Sequence, residues 1–395
     1  MNQKLAARVL SLLLITIFPT LITATAQNIS VQRSNRYQQT NLVSDVPEVA
    51  ANIDRRLVNP WGVALSSDKP FRVADNGNGQ FTSYDDMGDE EVFSGIVADP
   101  RGDTSRSHPT GVAFNPTGSF IPHGSLASPF LFASADGTIS GEYADSRGDI
   151  LETTILVVDN SAQGAVYTGL AILTPSCCAP FLAVANFHDG FIETYTGFFA
   201  PLGIPGAFID PQLPSGYSPF NIQVIGNQVF VTYAAQDQAR LAPLTRPGDG
   251  IVDIFSLEGS FIKRFTSHGE LNAPWGVTKA SAEFGAFSND ILIANFGDGT
   301  INAYNPNTGA FAGRLKDGAG NVIAIPGLHG LVFGAGSTGD PNTLYFTAGV
   351  GGEKHGLFGA ISVGGEEATP ALLRQPIPEV ARVILPCQVQ PKPKL

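Results

Sequence analysis

Basic residues are scarce in this chain of 395 residues. It holds 23 Lys and Arg against 35 Asp and Glu, which gives a formal net charge of −12. Nucleic-acid binding depends on clustered basic side chains that neutralise phosphates, and an anionic membrane surface attracts the same charge. We therefore expect no nucleic-acid partner and, once a leader has been removed, no membrane partner.

Methionine is scarce too, with 2 residues against 26 phenylalanines. Charged residues make up 15% of the chain and hydrophobic residues 43%, so a full core is available. The 44 glycines and 28 prolines imply frequent turns. An aromatic, turn-rich composition of this kind favours sheets over a helical bundle, and it predicts an all-β fold.

Short catalytic motifs are missing from the sequence. It has no Gly-x-Ser-x-Gly elbow, no His-Glu-x-x-His pair, no P-loop and no dinucleotide fingerprint. The sequence therefore leaves open whether the protein is an enzyme.

The chain has three cysteines, Cys177, Cys178 and Cys387. An odd number leaves at least one thiol unpaired within the chain. Cys177 and Cys178 could close a strained vicinal ring, one of them could pair with Cys387, or all three could simply fill loops. A structural zinc site requires four ligands, which this count and spacing do not supply.

Residues 1–26 have the pattern of a secretory signal peptide. Lys4 and Arg8 precede an apolar run over residues 9–22, and an Ala-Thr-Ala sequence ends at residue 26. The alternative is a membrane anchor, but the run is short for a span and contains Pro19. We predict an exported protein, extracellular or periplasmic.

One pattern recurs six times along the rest of the chain. It opens with Pro-x-Gly-Val or a variant, and its third position falls at residues 62, 111, 169, 221, 276 and 330, a mean step of about 54. Each unit continues with further short apolar runs separated by turn residues. Alternation with period two, interrupted by Gly and Pro, predicts four short strands per unit and no amphipathic helix.

Six four-stranded units repeated radially predict a six-bladed β-propeller. The sixth unit lacks a clear fourth strand, whereas a strand-like stretch at residues 40–46 precedes the first unit. We predict that this N-terminal strand becomes the outer strand of blade six and closes the ring, which removes an open sheet edge. The predicted segments are a signal peptide (1–26), a linker (27–39), the propeller (40–363) and a Pro-rich tail (364–395).

The first and fifth units carry a resemblance to known repeats. The first reads PWGVAL and FRVADNGNG, and the fifth reads PWGVTK and ILIANFGDGTINAYN. These residues resemble the NHL-type repeat. Over residues 40–363 the cues NLVSD, NPWGVA, DGTISG and NFGDG resemble a family of uncharacterised secreted bacterial β-propellers. The resemblance implies the fold and export, and it implies no established activity.

In a propeller, the chain enters each innermost strand on the face where the turns between second and third strands lie. The opening motifs and the Asp-Gly turns should therefore surround one mouth of the central channel, the default place for a binding site. The predicted ligand-binding residues there are Trp61, Asn76, His108, Tyr233, Trp275 and His329. Alternatively, the tryptophans plug the channel wall and the asparagines satisfy neighbouring backbone groups.

A second hypothesis places one divalent cation, Ca²⁺, in the same channel. Side-chain oxygens of Asn and Asp suit this cation, and a nearby histidine could then act as a base. The predicted ligands are Asp136, Asn186, Asn221 and Asn295, and the candidate base is His329. The gluconolactonase-like hydrolases, which are six-bladed, hold a metal with Asn, Asp and Glu, but no Glu falls at the mouth here. The Asp-Gly pairs are also typical of tight hairpin turns.

Two functions follow from these residues. The first is a secreted, monomeric binding or scaffold protein that takes a small molecule, a glycan or a protein at the channel mouth. The alternative is a hydrolase or lyase that depends on a divalent metal in the channel. The sequence does not name the ligand.

Overall fold

The computed structural model describes residues 34–91, 94–100, 107–122, 126–143 and 151–364. Strands dominate this part of the chain. Helical segments within it comprise two 3₁₀ turns, Ser161–Gln163 and Gly285–Phe287, and one short segment, α1 (Val350–Glu353).

The first half of the propeller contains thirteen strands. Two strands precede the first blade: β1 (Tyr37–Ser44) and β2 (Asn52–Ile53). Blade one comprises β3 (Pro60–Ala64), β4 (Phe71–Asp75), β5 (Gln80–Tyr84) and β6 (Gly95–Ile96). Blade two comprises β7 (Pro109–Phe114), β8 (Phe130–Ser134), β9 (Thr138–Gly141) and β10 (Ile155–Asp159). Blade three comprises β11 (Tyr167–Leu173), β12 (Phe181–Asn186) and β13 (Phe191–Thr196).

The second half contains the remaining eleven strands. Blade four comprises β14 (Tyr217–Ile225), β15 (Gln228–Ala235), β16 (Ile251–Ser256) and β17 (Phe261–Ser267). Blade five comprises β18 (Pro274–Lys279), β19 (Ile291–Asn295), β20 (Ile301–Tyr304) and β21 (Phe311–Arg314). Blade six comprises β22 (Leu328–Phe333), β23 (Leu344–Ala348) and β24 (Leu357–Val363), followed in space by β1 and β2.

Each blade is a meander that starts at the channel and runs outward. Its pairings are antiparallel, except that β2 pairs in parallel with β1 at the outer edge of blade six. In every blade the opening motif forms the first, innermost strand. The predicted six-bladed β-propeller is therefore confirmed, and the six repeats of the sequence are its six blades.

The closure of the ring also follows the prediction. Strand β1 pairs antiparallel with β24, from Tyr37 opposite Val363 to Ser44 opposite Leu357. The N-terminal strand thus becomes the outer strand of blade six, and the first and last parts of the described chain are held in one sheet. Tyr37 is buried, and its hydroxyl donates to the carbonyl oxygen of Phe284 in blade five at 3.1 Å.

Apolar clusters lie between neighbouring sheets all the way round the ring. Between blades one and two, for example, Phe81 packs against Phe132, with ring centroids 5.2 Å apart. Between blades six and one, Phe71 packs against Phe358 and Tyr345. Because both faces of each sheet are covered in this way, the period-two strands are buried on alternate sides by two different neighbours.

Blade three differs from the others at its outer edge. Its sheet has three strands in the described residues, and a short loop takes the place of a fourth. The backbone N–H of Leu202 donates to the Thr194 carbonyl at 2.8 Å, and that of Thr196 donates to the Ala200 carbonyl at 2.8 Å. The outer edge of β13 therefore pairs with this loop and not with a fourth strand. The missing strand leaves space beside the blade.

Candidate functional site

The third residue of each opening motif lies where the innermost strand of one blade touches the next. A Cβ atom on Gly276 would lie 2.3 Å from the carbonyl oxygen of His329 in blade six. A Cβ on Gly62 would lie 2.6 Å from the Thr110 carbonyl oxygen in blade two. Carbon cannot approach a backbone oxygen so closely, and glycine, which has no Cβ, permits the contact. The motif glycine thus sets how closely the inner strands pack.

Blade four has Asn221 where the five other blades have this glycine. Its amide nitrogen donates to the carbonyl oxygen of Trp275 in blade five at 3.0 Å. Its amide oxygen occupies the space beside Gly169 of blade three, where a Cβ atom would meet it at 2.2 Å. Asn221, a predicted metal ligand, therefore connects three successive blades.

The inner strands leave little room along the channel axis. The cavity between Gly62, Asn221, Trp275 and Leu331 measures about 20 Å³, roughly the space of one water molecule. Towards the other end, around Gln223, it widens to about 200 Å³. Small-molecule sites measure roughly 300 Å³ or more, so the channel interior is too small for a ligand of that size.

Aromatic rings fill the mouth of the channel. Trp61 stacks on His329, with ring centroids 4.2 Å apart and planes 19° apart. Trp275 meets Trp61 edge-on at 6.3 Å, and Phe220 meets it at 6.1 Å. Phe296 lies 4.8 Å from the His329 ring. We call these five residues the aromatic plug, which brings together three of the predicted ligand-binding residues and matches the alternative in which the tryptophans close the channel.

His329, the candidate base, is fully buried in the aromatic plug. Its Nδ1 lies 2.9 Å from the carbonyl oxygen of Gly327. A carbonyl can only accept, so Nδ1 carries the proton and Nε2 has the lone pair. Nε2 has no hydrogen-bond partner among the described residues. Burial lowers the pKa of His329 to about 3, so the ring stays neutral near pH 7.

The two tryptophans differ in whether the indole N–H has a hydrogen-bond acceptor. Trp275 is buried, and its Nε1 donates to the carbonyl oxygen of Thr168 in blade three at 3.0 Å. Trp61 is half-buried, and its buried Nε1 has no partner among the described residues. Trp275 thus crosses the mouth to fasten two non-adjacent blades, whereas Trp61 retains a free donor.

Asn295 ends the second strand of blade five and is fully buried. Its amide nitrogen donates to the Glu270 carbonyl oxygen at 2.7 Å, and its amide oxygen accepts from the Asn272 backbone N–H at 3.1 Å. The side chain ties the strand end to the segment that enters the blade, as expected when a buried amide satisfies backbone groups.

Asn186 ends the second strand of blade three, and its amide oxygen likewise binds the segment that enters the blade. Its amide oxygen accepts from the Val166 backbone N–H at 3.3 Å. Its amide nitrogen donates to the carboxylates of Asp189 at 2.8 Å and Glu193 at 2.6 Å. A glutamate therefore lies beside this predicted ligand, although the sequence places none at the mouth.

Asp136 and His108 form a pair on the exposed rim of blade two. Oδ1 of Asp136 lies 2.9 Å from Nδ1 of His108, and Oδ2 accepts from the His108 backbone N–H and the Ser134 hydroxyl. Burial raises the pKa of Asp136, but these hydrogen bonds lower it more, so it lies below its ordinary value.

On blade one, Asn76 accepts a hydrogen bond from the Asn59 amide at 3.2 Å.

Tyr233 lies apart from the aromatic plug, although the sequence predicts it at the mouth. It is buried in the apolar cluster between blades three and four. Its hydroxyl has no hydrogen-bond partner among the described residues, and burial raises the pKa of Tyr233 well above 10. Its side chain faces a neighbouring sheet and not the channel.

The four predicted metal ligands belong to four different blades. The hydrogen bonds of Asp136, Asn186, Asn221 and Asn295 share no partner. Across the described part of the chain, no group of three or more His, Cys, Asp or Glu side chains is placed to hold a metal ion. The calcium site stays a prediction.

A groove lies on the face opposite the mouth, beside blade three. It measures about 670 Å³ and is open to solvent. Its wall is mainly apolar and includes Ile121, Pro180, Phe181, Phe198, Leu202 and Ile204. Phe198 is 87% exposed, which is unusual for a side chain of this size. We call this feature the blade-three groove.

Three polar groups line one side of the blade-three groove. Cys177 and Cys178 are exposed and form no disulfide, and their sulfur atoms lie 3.1 Å apart. Oε1 of Glu258, from blade four, lies 4.0 Å from the Cys177 sulfur. The hydrogen bond between the thiols, together with burial and the charges of neighbouring groups, raises the pKa of Cys178. No basic side chain of the described residues pairs with Glu258, whose carboxylate faces solvent.

Sequence reasoning did not single out this groove. Its wall comes from separate segments of blades two, three and four. One signal was available: Phe198 stands in a turn, outside any strand. An exposed aromatic residue in a turn covers no sheet face, so it indicates a surface that packs against something else.

The chain is similar to some known proteins in fold and to others in sequence. No family model matches the chain. Among solved structures, a soluble aldose sugar dehydrogenase from Escherichia coli in its apo form has a TM-score of 0.50 and 12% identity, covering 83% of this chain and all of that one. A streptogramin B lyase has a TM-score of 0.47 and 11% identity, covering 83% and 97%. At such identities the likeness concerns the fold alone.

None of the helices within the described residues is long and apolar enough to cross a membrane. The leader at 1–26, most of the tail at 364–395 and Cys387 lie outside the described residues.

Two curated relatives share a larger fraction of their sequence with this chain than those two solved structures do. "Uncharacterized protein R648" of Acanthamoeba polyphaga mimivirus is 34% identical over 298 residues, which is 73% of this chain and 72% of the relative. "Uncharacterized protein L690" of the same virus is 31% identical over 298 residues, covering 73% and 77%. These viral relatives give the expected bacterial origin no support. The chain belongs to the same family as these two mimivirus proteins.

Proposed function

We propose that this protein is a binding protein whose ligand is a small, largely apolar molecule with one basic nitrogen. The blade-three groove is its binding site. The observation that carries the proposal is the size and lining of that groove, about 670 Å³ with a mainly apolar wall. Sites for small molecules typically measure roughly 300–1,000 Å³ and combine apolar walls with a few polar groups.

The apolar part of the ligand has a surface to cover. Phe198, Ile121 and Leu202 line the groove and are all exposed. Burying apolar area contributes roughly 25 cal/mol per Å², so an occupant that covers these side chains gains affinity. Contiguous exposed apolar surface in a folded protein is typical of an interaction site.

The basic nitrogen follows from the charge of the groove. Glu258 is the one carboxylate in the described lining, and it has no basic partner there. The chain as a whole has a net charge of −12, which attracts cations and repels anions. An ammonium group on an apolar ligand therefore complements both the local and the overall charge.

The proposal is tested with two apolar dyes of opposite charge. Auramine O is cationic and anilinonaphthalene sulfonate is anionic, and both fluoresce more strongly when bound in a protein site than when free in water. We expect saturable binding of auramine O to the full chain, and weaker binding of the anionic dye. Glu258→Gln should reduce this preference several-fold, because an exposed charge pair contributes about 1 kcal/mol or less.

Matched phenylalanine variants locate the dye. Phe198→Ser should weaken auramine O binding several-fold, since it removes an exposed ring from the groove wall. Phe311→Ser is the control, because Phe311 is 45% exposed on blade five and far from this lining. Equal effects of the two variants, or no saturable binding, would contradict the proposal.

The mouth face is a second candidate binding surface, for a glycan or a protein. Trp61 and Phe296 are half-buried there, with the His108–Asp136 pair on the rim. Aromatic rings among polar groups suit both kinds of partner. A glycan array read with wild type and Phe296→Ala tests this candidate, and equal signals from the two would argue against it.

We also propose that the protein acts outside the cytoplasm after removal of residues 1–26. The support is the pattern of cations, apolar run and small-residue site in the sequence. N-terminal sequencing of protein secreted by an expressing cell tests this, and a mature chain that still begins at Met1 would contradict it.

A further inference from the structure

We propose that Cys177 and Cys178 are a redox site, and that their closure to a vicinal disulfide tightens the blade-three groove around its ligand. This inference rests on the proposed function, because it concerns regulation of the same groove. The oxidant is a disulfide of the glutathione class.

The geometry of the two cysteines favours this reaction. They are consecutive residues in a turn between β11 and β12, both are exposed, and their sulfur atoms lie 3.1 Å apart. A disulfide needs a separation of about 2.05 Å, so closure brings the sulfur atoms about 1 Å closer. The ring it forms is strained, because consecutive Cα atoms lie about 3.8 Å apart and ordinary disulfides join Cα atoms about 4.4 Å or more apart. No sheet pairing holds this turn, which lies outside the strands of blade three.

The chemistry proceeds by two thiol–disulfide exchanges. The thiolate of one cysteine attacks a sulfur of oxidised glutathione, forms a mixed disulfide and releases one glutathione thiolate, which takes up a proton. The second cysteine, as thiolate, then attacks the protein sulfur of that mixed disulfide and releases the second glutathione. Two protein thiols are oxidised to one disulfide, and one glutathione disulfide is reduced to two thiols.

Closure changes the wall of the groove in two ways. It removes two S–H groups that can rotate and hydrogen-bond, and it leaves a fixed, apolar ring next to Pro180 and Phe181. It also ends the contact of the Cys177 thiol with Glu258, at 4.0 Å, so that this carboxylate is free to pair with a cationic ligand. Both changes favour an apolar cation.

The experiment uses the full chain with Cys387→Ser, so that Cys177 and Cys178 are the remaining thiols. Protein treated with oxidised glutathione is compared with protein kept reduced. We expect N-ethylmaleimide to label two thiols in the reduced protein and none in the oxidised protein, with the intact mass lower by two hydrogens. Auramine O should bind the oxidised form about three- to tenfold more tightly, because a preorganised wall loses less freedom on binding.

The variant Cys177→Ser in the same background is the control. It cannot close the ring, so its auramine O affinity should not rise after the glutathione treatment. A persistent glutathione adduct on the Cys387→Ser protein would overturn the redox site. Ring closure with equal dye affinity in both states would overturn the regulation.

Failure of this inference is distinct from failure of the proposed function. If auramine O binds, responds to Phe198→Ser and ignores the redox state, the groove remains a binding site and the disulfide is not its regulator. If auramine O binds neither form, the proposed function itself fails. A disulfide between Cys387 and one of the pair in the unsubstituted chain, found by peptide mapping, would also contradict the vicinal ring.

Discussion

Arg72 in blade one and Glu142 in blade two form an ion pair that is buried between the two sheets. Nε of Arg72 donates to Oε1 of Glu142 at 2.6 Å, and the two side chains are 4% and 0% exposed. Nη1 of Arg72 donates to the Ser83 hydroxyl at 2.7 Å, and its guanidinium lies over the rings of Phe81 and Phe130. Burial raises the pKa of Glu142, and the charge of Arg72 opposes that rise.

Arg72→Met should lower the free energy of unfolding by about 3–5 kcal/mol, because it leaves Glu142 buried without its counter-charge. Combining it with Glu142→Leu should recover most of this loss, since both charges are then gone. Denaturant titration measures both. The control is Arg246→Met, which breaks an exposed pair with Asp249 and should cost about 1 kcal/mol or less. A double variant no more stable than Arg72→Met would refute this account.

Gly276→Ala should destabilise the protein by about 1–3 kcal/mol, because the new methyl group would meet the His329 carbonyl oxygen. Gly318→Ala is the control, since no described atom lies within 4 Å of the Cβ that it adds. We expect it to change stability by about 0.5 kcal/mol or less. Thermal unfolding of the two variants distinguishes crowding from a general effect of losing a glycine.

Tyr37→Ala should cost about 3–5 kcal/mol, because it empties a buried ring position where β1 meets blade five. Tyr37→Phe keeps the ring and loses the hydrogen bond to the Phe284 carbonyl, which is worth about 1 kcal/mol. Unfolding in denaturant should rank the two variants in this order. If Tyr37→Ala were as stable as wild type, β1 would not be needed for closure.

The free energy of unfolding should fall as the pH is lowered, because His329 is buried in its neutral form. Its pKa is about 3 in the folded protein against 6.5 as the ordinary value, so its contribution is present above pH 6.5 and is lost as the pH falls towards 3. Between pH 7 and 4.5, wild type should lose about 2–3 kcal/mol more than His329→Phe, which cannot titrate. The comparison uses the change in unfolding free energy for each protein, so a constant cost of the larger ring cancels. Equal changes would mean that His329 can take up a proton in the folded state.

Asp253 produces the opposite pH dependence. Burial and the charge of Asp210 raise its pKa from 3.8 to about 7, although Arg264 opposes the rise. Its contribution to stability is therefore full below pH 3.8 and is lost as the pH rises through 7. From pH 5 to 7.5, wild type should lose about 2–3 kcal/mol more than Asp253→Asn. Glu283→Gln, at an exposed carboxylate, is the control and should follow wild type.

The fold could be predicted because its main determinants are local. Gly62 and Gly276 occupy positions where a Cβ would strike the next blade, so the motif records a geometric requirement. The stretch around Leu42 and Val43 alternates like a strand and has no partner within the first unit, which identifies it as the closing strand. The outer edge of blade three could have been anticipated as well, since glycine and proline interrupt the apolar segment that follows β13 and prevent the alternation of a fourth strand.

The site was harder to predict because the direction of each side chain depends on contacts distant in sequence. Asn186 and Asn295 lie at the predicted strand ends, yet their amides turn inward to the segments that enter their own blades. Tyr233 follows the same motif order, but the strand alternation directs its ring into the space between two sheets. The blade-three groove combines segments from three blades, and Glu258 and Phe198 become neighbours of one cavity only after folding.

The glycine contacts of the inner ring also bear on how the ring closes. Gly330 of blade six packs against the Trp61 carbonyl of blade one as Gly276 packs against blade six, so the same contact recurs where the last blade meets the first. Each blade is held between two neighbours, so it cannot move away from a new side chain at this position without disturbing the contact on its other side. A substitution in one repeat is therefore transmitted to the closing seam as well as to the adjacent blade.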